Sequence, residues 1–138
     1  CLAASPHRIK GTGNVIHPIK NMIAGALLLV NPLVALSTAD VFKKLLPIKH
    51  APLKTIPYFD AISLCEFGND LLPAAVELVP EIKELLLRLR QAPSCRAAQM
   101  SGSGASCFGV FDNLDAATKA SFSFEKAGIW AIPTLLNQ

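Results

Sequence analysis

The stretch with the clearest potential for chemistry is residues 100–108, which read MSGSGASCF. Gly102 and Gly104 permit positive φ and allow a backbone or a ligand to approach where a Cβ would clash. The small hydroxylated residues around them leave amides and hydroxyls facing outward, which suits anionic oxygens. Apolar runs at 96–100 and 106–111 flank the loop, so these residues taken alone favour a plain glycine-rich turn between antiparallel strands.

Several site classes are excluded by spacing. No lysine follows the second glycine, as the phosphate loop of P-loop proteins requires, and the spacing is not that of a dinucleotide fingerprint. The four cysteines form no Cys-x-x-Cys pair and the three histidines do not cluster with them, so no metal site is predicted. We interpret the cysteines as reduced thiols of a cytoplasmic protein. A hydrolase using Cys107 with His17 or His50 would need an electropositive niche, of which the sequence gives no sign.

Composition narrows the class of partner. The 138 residues suit one compact unit, with 51% hydrophobic and only 17% charged residues. The net charge of +3 is spread over scattered lysines and arginines with 7% aromatic residues, so no nucleic acid is expected as a partner. The longest apolar stretch, 23–36, is interrupted by Asn31-Pro32 and is shorter than the ~20 residues that span a bilayer, so no membrane segment is expected. The mean hydropathy of +0.41 suggests either a large core or a surface that something else covers.

Hydrophobic periodicity predicts the elements that must position the glycine loop. An unbroken apolar run at 26–30 predicts a strand buried on both faces. Ile82, Leu85, Leu86 and Leu89 follow helical spacing, and Glu84 and Arg88 on the same helix are placed to pair. The remaining predicted elements are a connecting segment at 1–13, a short strand at 14–20, helices at 37–46, 58–67 and 71–78, strands on both sides of the loop, a helix capped by Asp112-Asn113, and a last strand at 129–132 stopped by Pro133.

From residue 26 onward the predicted order is strand, helices, strand, strand, helix, strand. This order is typical of the ferredoxin-like split βαβ arrangement within the α+β class. The fold class predicted is therefore a four-stranded antiparallel sheet with helices on one face. The residues before position 26 are not part of this arrangement.

The motif at 100–108 resembles the third glycine-rich motif of the GHMP-type small-molecule kinases, in their C-terminal domain. Further stretches narrow the resemblance to the members that phosphorylate an alcohol on a cytidine-diphosphate-linked methylerythritol, in the non-mevalonate pathway of isoprene biosynthesis. They are Gly11-Thr12-Gly13 before a strand, Leu29-Val30-Asn31-Pro32 running into Ser37-Thr38 and Phe42, and Asn69-Asp70-Leu71 before Pro80-Glu81-Ile82. The resemblance covers residues 1–135.

The resemblance implies a kinase that binds ATP with Mg²⁺ and a small-molecule substrate. It implies that Thr38 and Phe42 lie at the cytidine site, with the Phe42 ring stacked on cytosine, a contact worth roughly 1–3 kcal/mol. From its position alone, Phe42 is instead expected to be a core residue of a short helix. The residues that the resemblance places at the ATP phosphates are Ser101, Gly102, Ser103, Gly104 and Ala105.

The resemblance also implies a division of the chain. Residues 1–22 would be a remnant of the N-terminal catalytic domain and 23–138 the C-terminal domain. The family's catalytic aspartate would fall just before Cys1, so no catalytic residue and no metal ligand is predicted here, and the chain alone is expected not to turn over. Three positions depart from the family pattern: Asn14 replaces a carboxylate, Leu33 a glycine and Leu72 a glutamate.

A second hypothesis needs no missing half. The chain could be a stand-alone ferredoxin-like regulatory module that binds a small metabolite. The reading frame before Cys1 separates the two hypotheses, since a start codon there favours the module and a Gly-x-Asp-Val-Pro segment favours the kinase. For a domain separated from its partner, we expect self-association through the exposed junction face.

Overall fold

A computed structural model describes residues 7–10, 14–18, 25–45 and 61–136. Cys1 and His50, which the sequence analysis considered, lie outside these ranges. The strands are β1 (His7–Lys10), β2 (Val15–Pro18), β3 (Ala26–Asn31), β4 (Cys95–Met100), β5 (Cys107–Phe111) and β6 (Trp130–Leu135). The helices are α1 (Thr38–Lys44), α2 (Ala61–Glu66), α3 (Leu72–Leu78), α4 (Glu81–Gln91) and α5 (Leu114–Glu125).

Four of the strands form one antiparallel sheet in the order β4-β5-β3-β6. The first and third strands of the βαββαβ series are central, and the strands that follow the helices are at the edges. This confirms the predicted ferredoxin-like arrangement. The glycine loop joins β4 to β5, so it leaves the sheet at the end where β3 continues into α1.

Helices α4 and α5 pack on one face of this sheet and build the core with it. On β3 the side chains of Leu28 and Val30 are fully buried against the helices, whereas Leu27 and Leu29 on the other face are half-buried. The prediction that this strand is buried on both faces is therefore wrong. An unbroken apolar run does not show on which face the helices lie.

The amphipathic helix α4 is confirmed, because Ile82, Leu85, Leu86 and Leu89 are all buried. The predicted pairing of Arg88 with Glu84 is wrong. The Arg88 guanidinium instead donates to the Ser123 carbonyl at 3.0 Å and lies 4.7 Å from the centre of the Phe124 ring. A cation over an aromatic face and a hydrogen bond to a carbonyl together tie α4 to α5, and intrahelical spacing could not reveal this contact.

The last strand extends further than predicted. Pro133 lies inside β6, opposite Leu28, and the strand continues to Leu135. Strand β6 is at the sheet edge, where a proline without an N–H can face away from the ladder. Pro133 therefore lies within an edge strand of this sheet and does not end that strand.

Part of the predicted connecting segment at 1–13 is a strand, since β1 pairs antiparallel with β2 in a separate two-stranded sheet. His7–Lys10 shows no apolar alternation, so the pattern gave no strand signal there. The boundary between 1–22 and 23–138 stays a prediction. None of the helices in the described ranges is long and apolar enough to cross a membrane.

Leu33 lies in the loop from β3 to α1 and takes a left-handed conformation with φ of 60°. This is the position where Leu33 departs from the family pattern, which has glycine there. A left-handed residue with a Cβ costs about 1–2 kcal/mol. Its side chain is 69% exposed, so burial does not offset that cost.

We expect Leu33→Gly to stabilise the chain by about 0.5–1 kcal/mol, because relief of the left-handed strain exceeds the added entropy of glycine in the unfolded state. Chemical denaturation measures the change. Val34→Gly is the matched control, since its neighbouring position has no such strain, and it should destabilise by about 0.5–1 kcal/mol. Equal losses for both variants would contradict the strain at Leu33.

Candidate functional site

The glycine loop is a tight turn held partly by its own backbone. The Ser101 amide donates to the Ser106 carbonyl at 2.9 Å, and the Gly104 amide donates to the Ser101 carbonyl at 3.0 Å. Gly102 and Gly104 have φ of 56° and 88°, and the Gly104–Ala105 peptide bond is cis. The predicted hairpin is thus confirmed at residues 101–106.

The two glycines face different surroundings. A Cβ on Gly104 would lie 2.9 Å from Met100 Sδ, 3.1 Å from Leu36 Cδ2 and 3.2 Å from Ile82 Cδ1. A Cβ on Gly102 would meet no atom within 4 Å. Gly104 is therefore required by the protein's own packing, and only Gly102 leaves open space that a ligand could enter.

The exposed part of the loop is its first half. Ser101 and Gly102 are exposed and Ser103 is half-buried, whereas the Ala105 side chain is buried in the core. Within the described ranges, the amides of Gly102 and Ser103 donate to no protein acceptor. The donors available to an anion are thus these two amides, together with the hydroxyls of Ser101 and Ser103.

Helix α1 brings Thr38 to this loop. The Ser37 side chain caps the helix by accepting from the Asp40 amide at 3.3 Å, as its position before the helix predicted. The Thr38 and Ser103 hydroxyls lie 2.8 Å apart in a hydrogen bond. Two residues that the resemblance assigns to different ligands, and that are 65 positions apart, are therefore in direct contact.

Phe42 lies one helical turn beyond Thr38, so the two share a face of α1. Its side chain is 55% exposed, whereas that of the adjacent Val41 is fully buried. The expectation that Phe42 is a core residue is therefore wrong, because Val41 takes the inward position. The aromatic ring is free to receive a planar group.

Charges on α1 are paired on its exposed side. Lys43 Nζ lies 3.1 Å from Asp40 Oδ1. The hydrogen bond from Lys43 is the main cause that lowers the pKa of the Asp40 carboxyl, and a bond with Ser37 adds to it. Asp40 thus stays ionised beside the site and does not serve as a proton donor.

Two asparagines that contact the loop were not recognised from the sequence as site residues. Asn69 Nδ2 donates to the carbonyls of Met100 at 3.1 Å and Gly102 at 2.8 Å. Asn31 Nδ2 donates to Ser106 Oγ at 2.8 Å. In the sequence analysis Asn31 and Asn69 belong to stretches that carry the family resemblance, but neither is assigned to the site, and nothing in the spacing pointed to the loop.

The Cys107 thiol is fully buried in the core, and burial raises its pKa to about 12. A thiol that holds its proton in this way is a poor nucleophile. The hypothesis of a cysteine hydrolase is therefore wrong for Cys107. Over the described ranges, no group of three or more His, Cys, Asp or Glu side chains could hold a metal ion.

Comparison with protein families identifies the domain. The family described as "GHMP kinases C terminal" matches residues 58–129, which include the glycine loop and helices α2 to α5. The chain belongs to the GHMP kinase C-terminal family. This is the family that the motif at 100–108 resembles.

Similar full-length proteins are kinases. This GHMP domain is 38% identical over 144 residues to the 4-diphosphocytidyl-2-C-methyl-D-erythritol kinase of Brucella abortus, which matches 97% of the chain and 48% of the relative. It is 40% identical over 116 residues to the enzyme of the same name from Paramagnetospirillum magneticum, which matches 80% of the chain and 41% of the relative. The chain therefore spans about half the length of the curated relatives it matches.

Solved structures agree with this affiliation. A crystal structure of 4-(cytidine 5'-diphospho)-2C-methyl-D-erythritol kinase superposes with a TM-score of 0.75 at 26% identity, over 96% of this chain and 50% of that one. Homoserine kinase from Cytophaga hutchinsonii superposes with a TM-score of 0.55 at 17% identity, over 88% of this chain and 45% of that one, which supports the fold alone. These likenesses favour a kinase domain over the stand-alone regulatory module.

We expect Gly104→Ala to destabilise the chain by about 3 kcal/mol, since it adds steric overlap in a packed site to left-handed strain. Gly102→Ala is the matched control. It carries the same kind of strain in open space, so its cost should be about 1 kcal/mol. Urea denaturation of both variants measures the difference, and equal costs would mean that Gly104 is not required by packing.

We expect Cys107 to resist iodoacetamide at pH 8 in the folded chain, since a thiol with a pKa of about 12 has a negligible thiolate fraction. Peptide mass mapping with and without guanidinium measures the labelling. Cys65 and Cys95, which are half-buried, serve as internal references and should react faster. Labelling of Cys107 as fast as Cys65 would contradict its burial.

The raised pKa of Cys107 also predicts how stability depends on pH. Between the ordinary thiol pKa of about 9 and the pKa of about 12 in the folded chain, only the unfolded chain loses the Cys107 proton, so rising pH should lower the free energy of unfolding.

Proposed function

We propose that this chain is the C-terminal part of a cytoplasmic kinase that transfers a phosphoryl group from ATP to a hydroxyl of 4-diphosphocytidyl-2-C-methyl-D-erythritol. The observation that carries the proposal is the contact between Thr38 and Ser103 beside an exposed Phe42. The proposed platform for the cytosine ring then lies next to a loop in which two amides have no acceptor among the described residues. The names of the relatives supply the substrate class.

The glycine loop is proposed to bind the phosphates of ATP through the amides of Gly102 and Ser103 and the hydroxyl of Ser101. Phosphoryl transfer depends mainly on positioning and on stabilising charge, so oriented amides suit the task. Open space at Gly102 allows phosphate oxygens to approach the backbone closely. The roles of Gly104 and Ala105 are then to shape the loop, since both pack inward.

Phe42 is proposed to stack on the cytosine ring, with Thr38 beside it on the same helix face. An exposed aromatic ring fixed on a helix binds a planar base by stacking without much loss of side-chain freedom. Because the Thr38 hydroxyl bonds to the Ser103 hydroxyl, the proposed base site lies directly beside the proposed phosphate loop. This arrangement suits a kinase that must hold two phosphorylated molecules side by side.

Mg²⁺ is proposed to arrive with ATP and to neutralise charge on its phosphate oxygens. The described residues offer the ion no cluster of carboxylates, so this part of the protein is assigned the amide donors alone. The residue that removes the proton from the acceptor hydroxyl is proposed to lie in the half of the relatives that this chain does not span. The chain alone is then inactive.

The test is an assay of the continuous protein encoded by the reading frame that contains this chain. We expect ADP release that requires both ATP and 4-diphosphocytidyl-2-C-methyl-D-erythritol, and no turnover by the 138-residue chain alone. Lack of phosphorylation by a folded continuous protein would overturn the proposal. Turnover by the isolated chain would overturn the assignment of the proton acceptor.

In the same protein we expect Phe42→Ala to raise KM for the cytidyl substrate about 5- to 100-fold, the equivalent of losing one base stack. KM for ATP should change less than twofold. Phe42→Trp should restore most of the affinity. The matched control is Phe122→Ala, because Phe122 is equally exposed, at 56%, but lies on α5. Identical kinetics for the two alanine variants would contradict the role of Phe42.

A further inference from the structure

The side chain of Asn69 uses all of its polar groups at once. Its Oδ1 accepts from the Leu71 amide at 2.9 Å, and its Nδ2 donates to the carbonyls of Met100 and Gly102. The orientation of the amide group is set by these partners, because two carbonyls can only accept and an N–H can only donate. Asn69 therefore joins the start of α3 to the end of β4 and the glycine loop.

The contact with the Gly102 carbonyl has a consequence for the next amide. In a trans peptide the C=O and the following N–H point in opposite directions. Among the described residues only the Gly104–Ala105 bond is cis, so Asn69 holds the Gly102 carbonyl toward itself and the Ser103 N–H points away from Asn69. In the described part of the chain the Ser103 amide has no protein acceptor.

Asn31 repeats this arrangement at the other end of the loop. Its Oδ1 accepts from the Leu33 amide at 2.7 Å, two residues on, and its Nδ2 donates to Ser106 Oγ. The two asparagines differ in what they hold. Asn31 contacts a hydroxyl, which can exchange the roles of donor and acceptor, whereas Asn69 contacts two carbonyls, which cannot.

We propose that Asn69 is a positioning residue that sets the direction of the Ser103 amide, and so the ability of the glycine loop to bind the phosphates of ATP. The proposal rests on the proposed function. It adds a residue that contacts neither ligand and acts through the Gly102–Ser103 peptide. Asn31 anchors the far end of the loop and provides a chemical comparison.

Asn69→Asp is the sharpest variant. The carboxylate still accepts from the Leu71 amide, but its second oxygen faces two carbonyl oxygens in place of the two donor hydrogens. Loss of two neutral hydrogen bonds corresponds to about a 30-fold change in the equilibrium that holds the loop in this conformation. In the continuous kinase we expect KM for ATP to rise about tenfold or more, with KM for the alcohol substrate changed less than twofold.

Two matched variants separate this role from a general loss of structure. Asn31→Asp should stay within about threefold of the parent, because the Ser106 hydroxyl can donate to the new carboxylate. Asn113→Asp removes the amide of the α5 cap, which lies at the other end of β5 from the loop, and should leave both KM values unchanged. Asn69→Ser, which adds no charge, covers the case in which Asn69→Asp fails to fold, and it should also raise KM for ATP.

A binding readout distinguishes failure of this inference from failure of the proposed function. ATP should shift the Ser103 amide resonance of the ¹⁵N-labelled parent protein, and the shift should be lost in Asn69→Ser or Asn69→Asp. The proposed substrate would be overturned, and the positioning role of Asn69 supported, if the parent shows this shift and the Asn69 variants lose it but the parent does not phosphorylate the erythritol. A parent that turns over while both Asn69 variants keep KM for ATP within twofold would overturn the inference alone. In a parent that turns over, absence of any ATP-induced shift at Ser103 would also overturn the inference.

Discussion

A loop made of serine, glycine and alanine has no large side chain with which to hold its own shape, so its conformation depends on hydrogen bonds supplied from other elements. Here those bonds come from Asn31 at the end of β3, Thr38 on α1 and Asn69 before α3. Each bond is worth only about 1 kcal/mol, but together they outweigh the backbone entropy of glycine. The surrounding fold holds the three side chains that make these bonds in fixed positions.

The ferredoxin-like sheet provides that fixed frame. Strands β3 and β5 are neighbours, so the residue that ends β3 reaches the loop that begins β5. Packing of α4 beneath the sheet brings Ile82 against Gly104, so the inner side of the loop rests on the core. The outer side of the loop stays open because Gly104 packs against the core and Gly102 does not. A single hairpin can in this way be rigid on one side and open on the other.

The sequence predicted most of this frame because its signals are local. The periodicity of α4, the cap at Ser37 and the two apolar runs beside the glycines each depend on a few neighbouring residues. It could not predict the contacts of Asn31, Asn69 and Arg88, which join positions 33 to 75 residues apart. Nor could it tell that Val41 and not Phe42 faces the core, or that Pro133 lies inside an edge strand. These facts depend on which face of each element is covered, and that is decided by tertiary packing.

The direct bond between Thr38 and Ser103 bears on how the two proposed ligand sites relate to one another. A hydroxyl that gives its proton to a phosphate oxygen can still accept from a neighbouring hydroxyl, so the pair need not separate when ATP binds. A chain of donors from helix α1 through Ser103 to the phosphate would then be polarised in one direction, which strengthens each member. The helix that carries the proposed base shelf is thereby fixed to the loop that carries the amides. In the proposed function, α1 and the β4–β5 hairpin, joined by the Thr38–Ser103 bond, set the distance between the two ligands.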